Sequence, residues 1–343
     1  MNQSQQMSHP PVTPDRLMQF VFGYAPTLII ETAIRHHVFD LLDTGARTIK
    51  QLSQATGTSL RGLRGLLNAL VALEFLAKDT EQAYTLTPES AAFLVSTKPS
   101  FQGGLFKHTS GQLLPKWLEL TEVVRTGKPA TTINQEAAGT DFFQQFVNDI
   151  FPLSYPAAQV LAEVLDVAHA EQLLNVLDLA AGSGVWGLTI AQQSPQVHVT
   201  ALDWAGVIPV AKKNAERLGL TDRVKYLEGD LLTTAFGTGY HLAILGHIIH
   251  SEGEVRSRQL LHKVFEALAT GGTIAIAEWL VNEDRTGPIN ATIFAVNMLV
   301  NSEEGDTYSF AEISSWLTGV GFINSRTVEA PGPSPLILAT KPQ

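Results

Sequence analysis

Residues Leu177–Ala191 read LDLAAGSGVWGLTIA, and the reading of this stretch decides the fold. An apolar run ending at Leu179 has the form of a buried strand. A turn of small residues carries Gly182 and Gly184, and a helix follows at once. Glycine in such a turn lets the backbone approach a ligand that a Cβ would exclude. The run Gly182-Ser183-Gly184-Val185-Trp186-Gly187 also fits the G-x-G-x-x-G pattern of dinucleotide sites. On its own that pattern leaves two cofactor classes open.

Three acids separate the classes. Asp178 stands inside the strand, where a carboxylate suits a cationic amino group, or a water beside one, and has little to do for a pyrophosphate. Asp203 closes the next strand-like run, where a carboxylate can accept both hydroxyls of a ribose. Asp230 follows the third run, Val224 to Glu228, and can meet an adenine amino group. Amine, backbone clearance at Gly182, ribose and adenine are the demands of S-adenosylmethionine. In a doubly wound sheet, the carboxyl ends of the strands are where ligands sit.

Outward from this stretch, strand-like and helical runs alternate. Strands are expected at Leu174 to Leu179, Val197 to Leu202, Val224 to Glu228, His241 to Leu245, Thr273 to Glu278 and Pro335 to Lys341. Helices are expected at Val185 to Gln193, Val207 to Leu218 and Val255 to Ala269, the last stopped by Gly271-Gly272. The pattern predicts an α/β domain over 171–343 with a parallel sheet. Upstream, 1–13 reads as a polar, disordered tail, and Thr13 with Pro14 as a helix start. Over 14–100 the order is helix, turn, helix and hairpin, the winged-helix order; Leu63, Leu66, Leu67, Leu70 and Leu73 stand at helical spacing. Only Arg61 and Arg64 offer cations on the would-be recognition helix, which argues for dimerisation over DNA binding. Residues 101–170 form a helical connector rich in aromatics.

Composition narrows the function. A net charge of -10 disfavours nucleic acid, and the lack of cysteine excludes disulfides, thiolate zinc sites and thiol nucleophiles. The N-terminus lacks the basic start and apolar core of a signal peptide, and the apolar runs are short or interrupted. A cytoplasmic protein with no membrane partner is expected.

Taken together, the chain resembles the small-molecule O-methyltransferases that include the plant caffeate and flavonoid enzymes and acetylserotonin-type relatives. The resemblance rests on the glycine turn, on LAILGHIIHSEGEVRSRQLLHKVFEALATGGTIAIAE, and on GDTYSFAEISSWLTGVGF. It implies a Rossmann-like class I methyltransferase domain behind an N-terminal winged-helix dimerisation domain, working as a homodimer. By the resemblance Gly182, Asp203, Trp204, Asp230 and Leu231 touch the cofactor, alongside Asp178 and the turn's Gly184. Gly246 falls where many relatives carry a further cofactor-contacting side chain.

His250, after an apolar strand and before a turn into a helix, stands where the family has its catalytic base. A histidine suits that role near neutral pH. Glu278 is expected to orient it. His247, three residues earlier, is the rival, and no carboxylate-rich motif completes a metal site around the pair. Two acids of the family pattern are replaced, by Ser251 and by Thr307. Phe294 and Met298, on an apolar helix Ile289 to Asn301, and Phe146, Ile150 and Leu153 from the connector, suggest a flat, aromatic acceptor. The expected reaction is methyl transfer from S-adenosylmethionine to a hydroxyl, with carbon or nitrogen methylation as the alternative. An NAD-dependent oxidoreductase and a ligand-sensing winged-helix regulator are the readings from other classes.

Overall fold

The structure, a computed structural model, describes residues 12–133 and 135–343; most of the expected 1–13 tail therefore lies outside the described residues. Two compact units divide the chain, Met1–Phe106 and Lys107–Gln343.

In the first unit α1 (Asp15–Val21) starts behind Pro14 without the expected cap, because Thr13 Oγ1 donates to Asp15 Oδ2 at 2.7 Å instead of accepting from the backbone. Pro26 lies in the first turn of α2 (Ala25–Arg35), where its missing N–H costs nothing. The span Asp15–Arg35 is long and apolar enough to cross a bilayer. The turn at Phe22–Tyr24 divides it, however, and α2 buries Ile30, Ala33 and Ile34 in this unit's core. After α3 (Val38–Asp43) and β1 (Arg47–Thr48) comes α4 (Ile49–Thr56). Thr48 and Gln51 satisfy each other's backbone N–H at its start, a capping box. Ser59 caps α5 (Leu60–Ala72), which turns Leu63, Leu67 and Leu70 inward against Leu52, Phe39 and Tyr84. The hairpin β2 (Leu76–Lys78) and β3 (Ala83–Leu86) pairs on its other side with β1, and α6 (Pro88–Phe93) follows. Along α1, Leu17, Met18, Phe20 and Val21 stand exposed.

The second unit opens within α7 (Gly103–His108), continues through a π-turn at Thr109–Leu113, and runs on through α8 (Leu114–Trp117), α9 (Leu120–Thr126), α10 (Glu136–Phe146) and α11 (Phe151–Val164). Next come β4 (Leu174–Leu179), α12 (Val185–Gln193), β5 (Val197–Asp203), α13 (Ile208–Arg217), β6 (Val224–Glu228) and β7 (Tyr240–Gly246). The chain closes through α14 (Ile249–Ala267), β8 (Leu268–Ala277), β9 (Leu280–Val281), α15 (Ile289–Asn301), β10 (Tyr308–Ser309), α16 (Phe310–Val320), β11 (Ile323–Val328) and β12 (Leu336–Thr340).

The main sheet has seven strands in the order β11-β12-β8-β7-β4-β5-β6, parallel from β8 to β6, with β12 antiparallel to both its neighbours. Strand order reverses between β4 and β7, which places a ligand crevice at their carboxyl ends. Those two strands lie in the middle of the sheet, and Val176, Leu177, Leu179, Leu242, Ala243, Ile244 and Leu245 are almost wholly buried.

Two expected boundaries are corrected. The helix placed at Val255 to Ala269 begins at Ile249, and Gly253 (φ 74°) interrupts it with non-helical backbone. It ends at Leu268, whose extended backbone starts β8 directly, so Gly271-Gly272 lie inside a strand and do not stop the helix. Strand β11 was not singled out in the sequence, because only Ile323 and Val328 of INSRTV are apolar.

Candidate active site

The glycine turn joins β4 to α12 with positive φ at Ala180 (52°), Gly182 (55°) and Gly184 (76°). Two carboxylates hold it from below. Asp203 Oδ2 accepts Gly182 N at 2.7 Å, and its Oδ1 accepts Trp204 N at 2.7 Å. Asp178 Oδ2 accepts Gly187 N at 2.8 Å, while Asp178 Oδ1 is buried with no partner among the described residues. Burial pushes the Asp178 carboxyl up to about 7, with the Gly187 N–H opposing and the charge of Asp203 adding to the rise. Burial likewise raises Asp203 to about 6, against the hydrogen bonds from Gly182 and Trp204. A Cβ on Gly184 would stand 2.9 Å from Leu188, so the turn closes over its own helix. The Trp204 ring packs edge-on against Phe143 of α10, with centroids 5.9 Å apart.

The loop after β6 is tied to α14, which the sequence did not signal. Asp230 Oδ1 accepts Leu232 N and Thr233 N at 2.9 and 3.2 Å, and its Oδ2 accepts Arg256 Nη2 at 2.7 Å. Arg256 Nε also donates to Glu252 Oε2 at 2.6 Å, across the break at Gly253. Burial would raise Asp230, but the bonds from Arg256 and Leu232 outweigh it and hold its pKa below the usual carboxylate value. Glu252, buried at 5 % exposure, stays above that value despite Arg256. Lys263 donates to the carbonyls of Leu231, Leu232 and Thr234 at 2.6 to 2.9 Å, and its ammonium lies 4.0 Å from the centroid of Phe236. Leu231 is buried beneath this loop. Asp230 therefore orders the loop that follows the carboxyl end of β6. The spacing of Arg256 and Lys263 on one helix gave no cue to it, since an arginine and a lysine seven apart read as a solvated face.

His250 and Glu278 meet at the ends of β7 and β8. Glu278 is fully buried; its Oε1 accepts His250 Nδ1 at 2.7 Å and Trp279 N at 2.9 Å, and its Oε2 accepts His250 N at 3.0 Å. Burial would raise Glu278, but the two facing histidines and its hydrogen bonds hold it below the usual value. One carboxylate thus fixes both the backbone and the ring of His250. With Nδ1 bound to Glu278, Nε2 is the nitrogen left for a reacting proton. His250 also meets the edge of Phe294 at 4.9 Å. His247 goes elsewhere: its Nε2 lies 3.0 Å from Ser334 Oγ, and burial drives its pKa down to about 4. Among the described residues no cluster of metal-ligating side chains occurs. Ser251 donates to Ile248 O, and Thr307 Oγ1 is buried without a described partner, so neither replaces an acid beside the ring. At Gly246 a Cβ would stand 2.1 Å from Trp186 Nε1, so the indole occupies the space that a side chain at the end of β7 would need.

Beside Phe294, the aromatic neighbour of the histidine, lies a mainly apolar cavity of about 400 Å³, lined by Thr109, Leu113, Leu114, Trp117, Trp279, Asn290, Ile293, Phe294 and Asn297. Trp279 and Phe294 stack with centroids 4.8 Å apart and planes 19° apart. Of the acceptor-contact residues expected from sequence, Phe294 lines this cavity. Met298 is buried one turn further along α15. Phe146 stacks on His108 at 3.9 Å, Ile150 stands at the start of α11, and Leu153 is in that helix with its carbonyl facing Gly332. The helices before the sheet supply Trp117, one of the aromatics that mark the connector in the sequence, and the π-turn, for which the sequence carried no local signal.

The family described as "O-methyltransferase domain" matches residues 117–323, and "O-methyltransferase dimerisation domain" matches residues 18–96. The chain belongs to this O-methyltransferase family. It is 28 % identical over 336 residues to 3-hydroxy-5-methyl-1-naphthoate 3-O-methyltransferase of Streptomyces sahachiroi, covering 96 % of this chain and 95 % of the relative. A crystal structure of a candidate O-methyltransferase from Nostoc punctiforme matches with a TM-score of 0.88 at 29 % identity, covering 97 % and 100 % of the two chains. Human N-acetylserotonin methyltransferase, solved in complex with SAM, shares the fold with a TM-score of 0.84 at 22 % identity and full coverage of both chains.

Proposed function

We propose that this chain transfers the methyl group of S-adenosylmethionine to a hydroxyl of a small aromatic acceptor, with His250 as general base. The observation that carries the base is the His250–Glu278 pair at the carboxyl ends of β7 and β8, with the His250 ring against Phe294 of the apolar cavity. The residues present fit the cofactor: a turn with positive φ at both glycines, a buried carboxylate oxygen of Asp178 without a partner, and Asp203 at the end of β5. Gly182, Gly184, Asp203 and Trp204 would hold its ribose and methionine part, Asp178 would face its amino group, and Asp230 with Leu231 would border its adenine. When bound, the sulfonium supplies a methyl with a good leaving group, so the protein has to align the acceptor and take its proton.

His250 Nε2 takes the hydroxyl proton as the acceptor oxygen forms its bond to the methyl carbon. Glu278, held ionised, stabilises the imidazolium that forms and keeps the ring from turning. The stacked Trp279 and Phe294 offer a flat apolar wall suited to an aromatic acceptor. The exposed apolar side of α1 and the match to the dimerisation domain support a soluble homodimer formed through the N-terminal unit. The reading also divides the chain into a dimerisation domain over 14–100, a connector over 101–170 and a catalytic domain over 171–343.

Calorimetric titration with S-adenosylhomocysteine, beside NADH, tests the cofactor: micromolar binding of the first alone is expected, and a preference for NADH would sink the reading. His250→Ala, assayed with a phenol that the wild type methylates, should lose turnover while still binding S-adenosylhomocysteine. Unchanged turnover would remove His250 as the base.

A further inference from the structure

The backbone of His250 is held on both sides, apart from the bond between its ring and Glu278. Its N–H donates to Glu278 Oε2 at 3.0 Å, and its carbonyl accepts Asp306 N at 2.9 Å. Glu278 and Asp306 are counterparts. Each stands two residues ahead of a paired position in the β9–β10 ribbon, where Leu280 faces Tyr308 and Val281 faces Ser309 in parallel register. A Cβ on Gly305 would stand 2.6 Å from the His250 carbonyl oxygen, so the chain ahead of β10 passes as close to that group as glycine allows. Two strands of two residues each hold their register poorly, since even a longer isolated pair is marginal in water.

Arg285 fastens the ribbon from outside. It ends a tight turn after β9, its N–H donating to Asn282 O at 3.0 Å, with a φ of 57° that is unfavourable for a residue with a Cβ. From there Nη1 donates to Asp306 Oδ2 at 2.9 Å and to Thr307 O at 3.1 Å, and Nη2 donates to Glu312 Oε1 at 2.6 Å. Asp306 passes the hold on: its Oδ1 accepts Thr307 N at 2.7 Å, while its own N–H goes to His250. Glu312 accepts Ser309 N at 2.7 Å, which brings the start of α16 into the same network. We infer, resting on the function proposed above, that Arg285 is a positioning residue for the base. Through Asp306 it holds the His250 carbonyl, and with it the ring that Glu278 orients, where Nε2 can take the acceptor proton. The guanidinium side chain is 42 % exposed, so its ion pairs add little to global stability. The effect of losing it is therefore local: a loosened His250 ring in a protein that melts where the wild type melts.

The test compares wild type, Arg285→Met, Arg285→Lys and Asp306→Asn as full-length proteins with S-adenosylhomocysteine added. Proton magnetic resonance follows solvent exchange of the His250 Nδ1 proton, whose signal is the one lost in His250→Ala. Arg285→Met should speed that exchange at least about tenfold, with a melting temperature close to wild type. Asp306→Asn keeps its backbone N–H and an oxygen for Thr307 but loses the charge facing Arg285. It should act like Arg285→Met, and the double variant should go no further than either. Arg285→Lys should recover part of the protection, because a lysine reaches one of the acceptors but lacks the fork that spans them. With a phenol that the wild type methylates, Arg285→Met should lower kcat about ten- to a hundredfold and leave acceptor KM within about twofold. Unchanged Nδ1 exchange in a folded Arg285→Met would overturn the inference, and so would an unchanged kcat. Faster exchange that comes with a lowered melting temperature and no recovery in Arg285→Lys would make the residue merely structural, which overturns it as well. A wild type that binds no S-adenosylhomocysteine, or methylates no phenol, would strike the proposed function, and the exchange rates would still decide whether Arg285 holds the ring.

Discussion

Replacing Asp178 with asparagine gives a prediction whose size follows from the structure. The carboxyl is almost wholly buried, accepts one hydrogen bond from Gly187 N, and has a pKa raised to about 7 from 3.8. Because the folded-state pKa lies above the unfolded one, the folded protein binds more protons between those values. The associated stability is present at acid pH and is lost as pH rises towards 7. The gap of about 3 pH units corresponds to about 4 kcal/mol, more than half of which falls between pH 5 and pH 8. An asparagine in the same pose keeps an oxygen for Gly187 and never ionises. The Asp178→Asn variant should therefore gain on the wild type in thermal stability by about 5 °C or more between pH 5 and pH 8. Differential scanning fluorimetry across that range, without cofactor, reads the difference. A gap between variant and wild type that stays constant with pH would refute the reasoning, since it would show that Asp178 does not change protonation on folding.

Asp203→Ala removes the acceptor for both Gly182 N and Trp204 N, and should weaken S-adenosylhomocysteine binding at least about thirtyfold by calorimetry, with a smaller loss of thermal stability. Glu278→Gln keeps the shape of the residue but loses the charge behind His250. Turnover should fall about 10²–10⁴-fold while S-adenosylhomocysteine affinity changes less than threefold, and a full kcat in that variant would dismiss the carboxylate's role. Arg256→Met unlinks Asp230 from Glu252, so cofactor affinity should drop about tenfold; Arg256→Lys should restore part of it, and equal affinities would show that the link is idle.

How much of this was legible in the sequence can be argued residue by residue. The glycine turn and the strand–helix alternation are local patterns, because a buried parallel strand must be apolar along its length and the turn behind it must admit positive φ. Leu177–Ala191 therefore announced the fold, and with the later motifs it announced the family. Asp203 was visible for the same reason, as the acid at the end of the next strand. The helix and strand junction at Ala267–Leu268 was not, since glycines at 271–272 mimic a stop signal and only the pairing of Leu268 with Tyr240 of β7 shows that the strand has begun before them.

The site follows the same division. His250 and Glu278 were nameable from sequence, but their 2.7 Å contact depends on β7 and β8 being neighbours, and the diversion of His247 to Ser334 depends on the segment before β12 lying beside β8. Sequence spacing could not link Arg256 to Asp230, 26 residues earlier, or set Trp117 against Asn297, 180 residues later, because such pairs are made by packing between elements. The sequence by itself determined the local material: which runs become strands, where the backbone turns, and which side chains have the chemistry for the reaction. The tertiary structure alone decided which of those side chains face one another, because an imidazole, a carboxylate or an amide is given its role by the partners that occupy its remaining hydrogen-bonding positions.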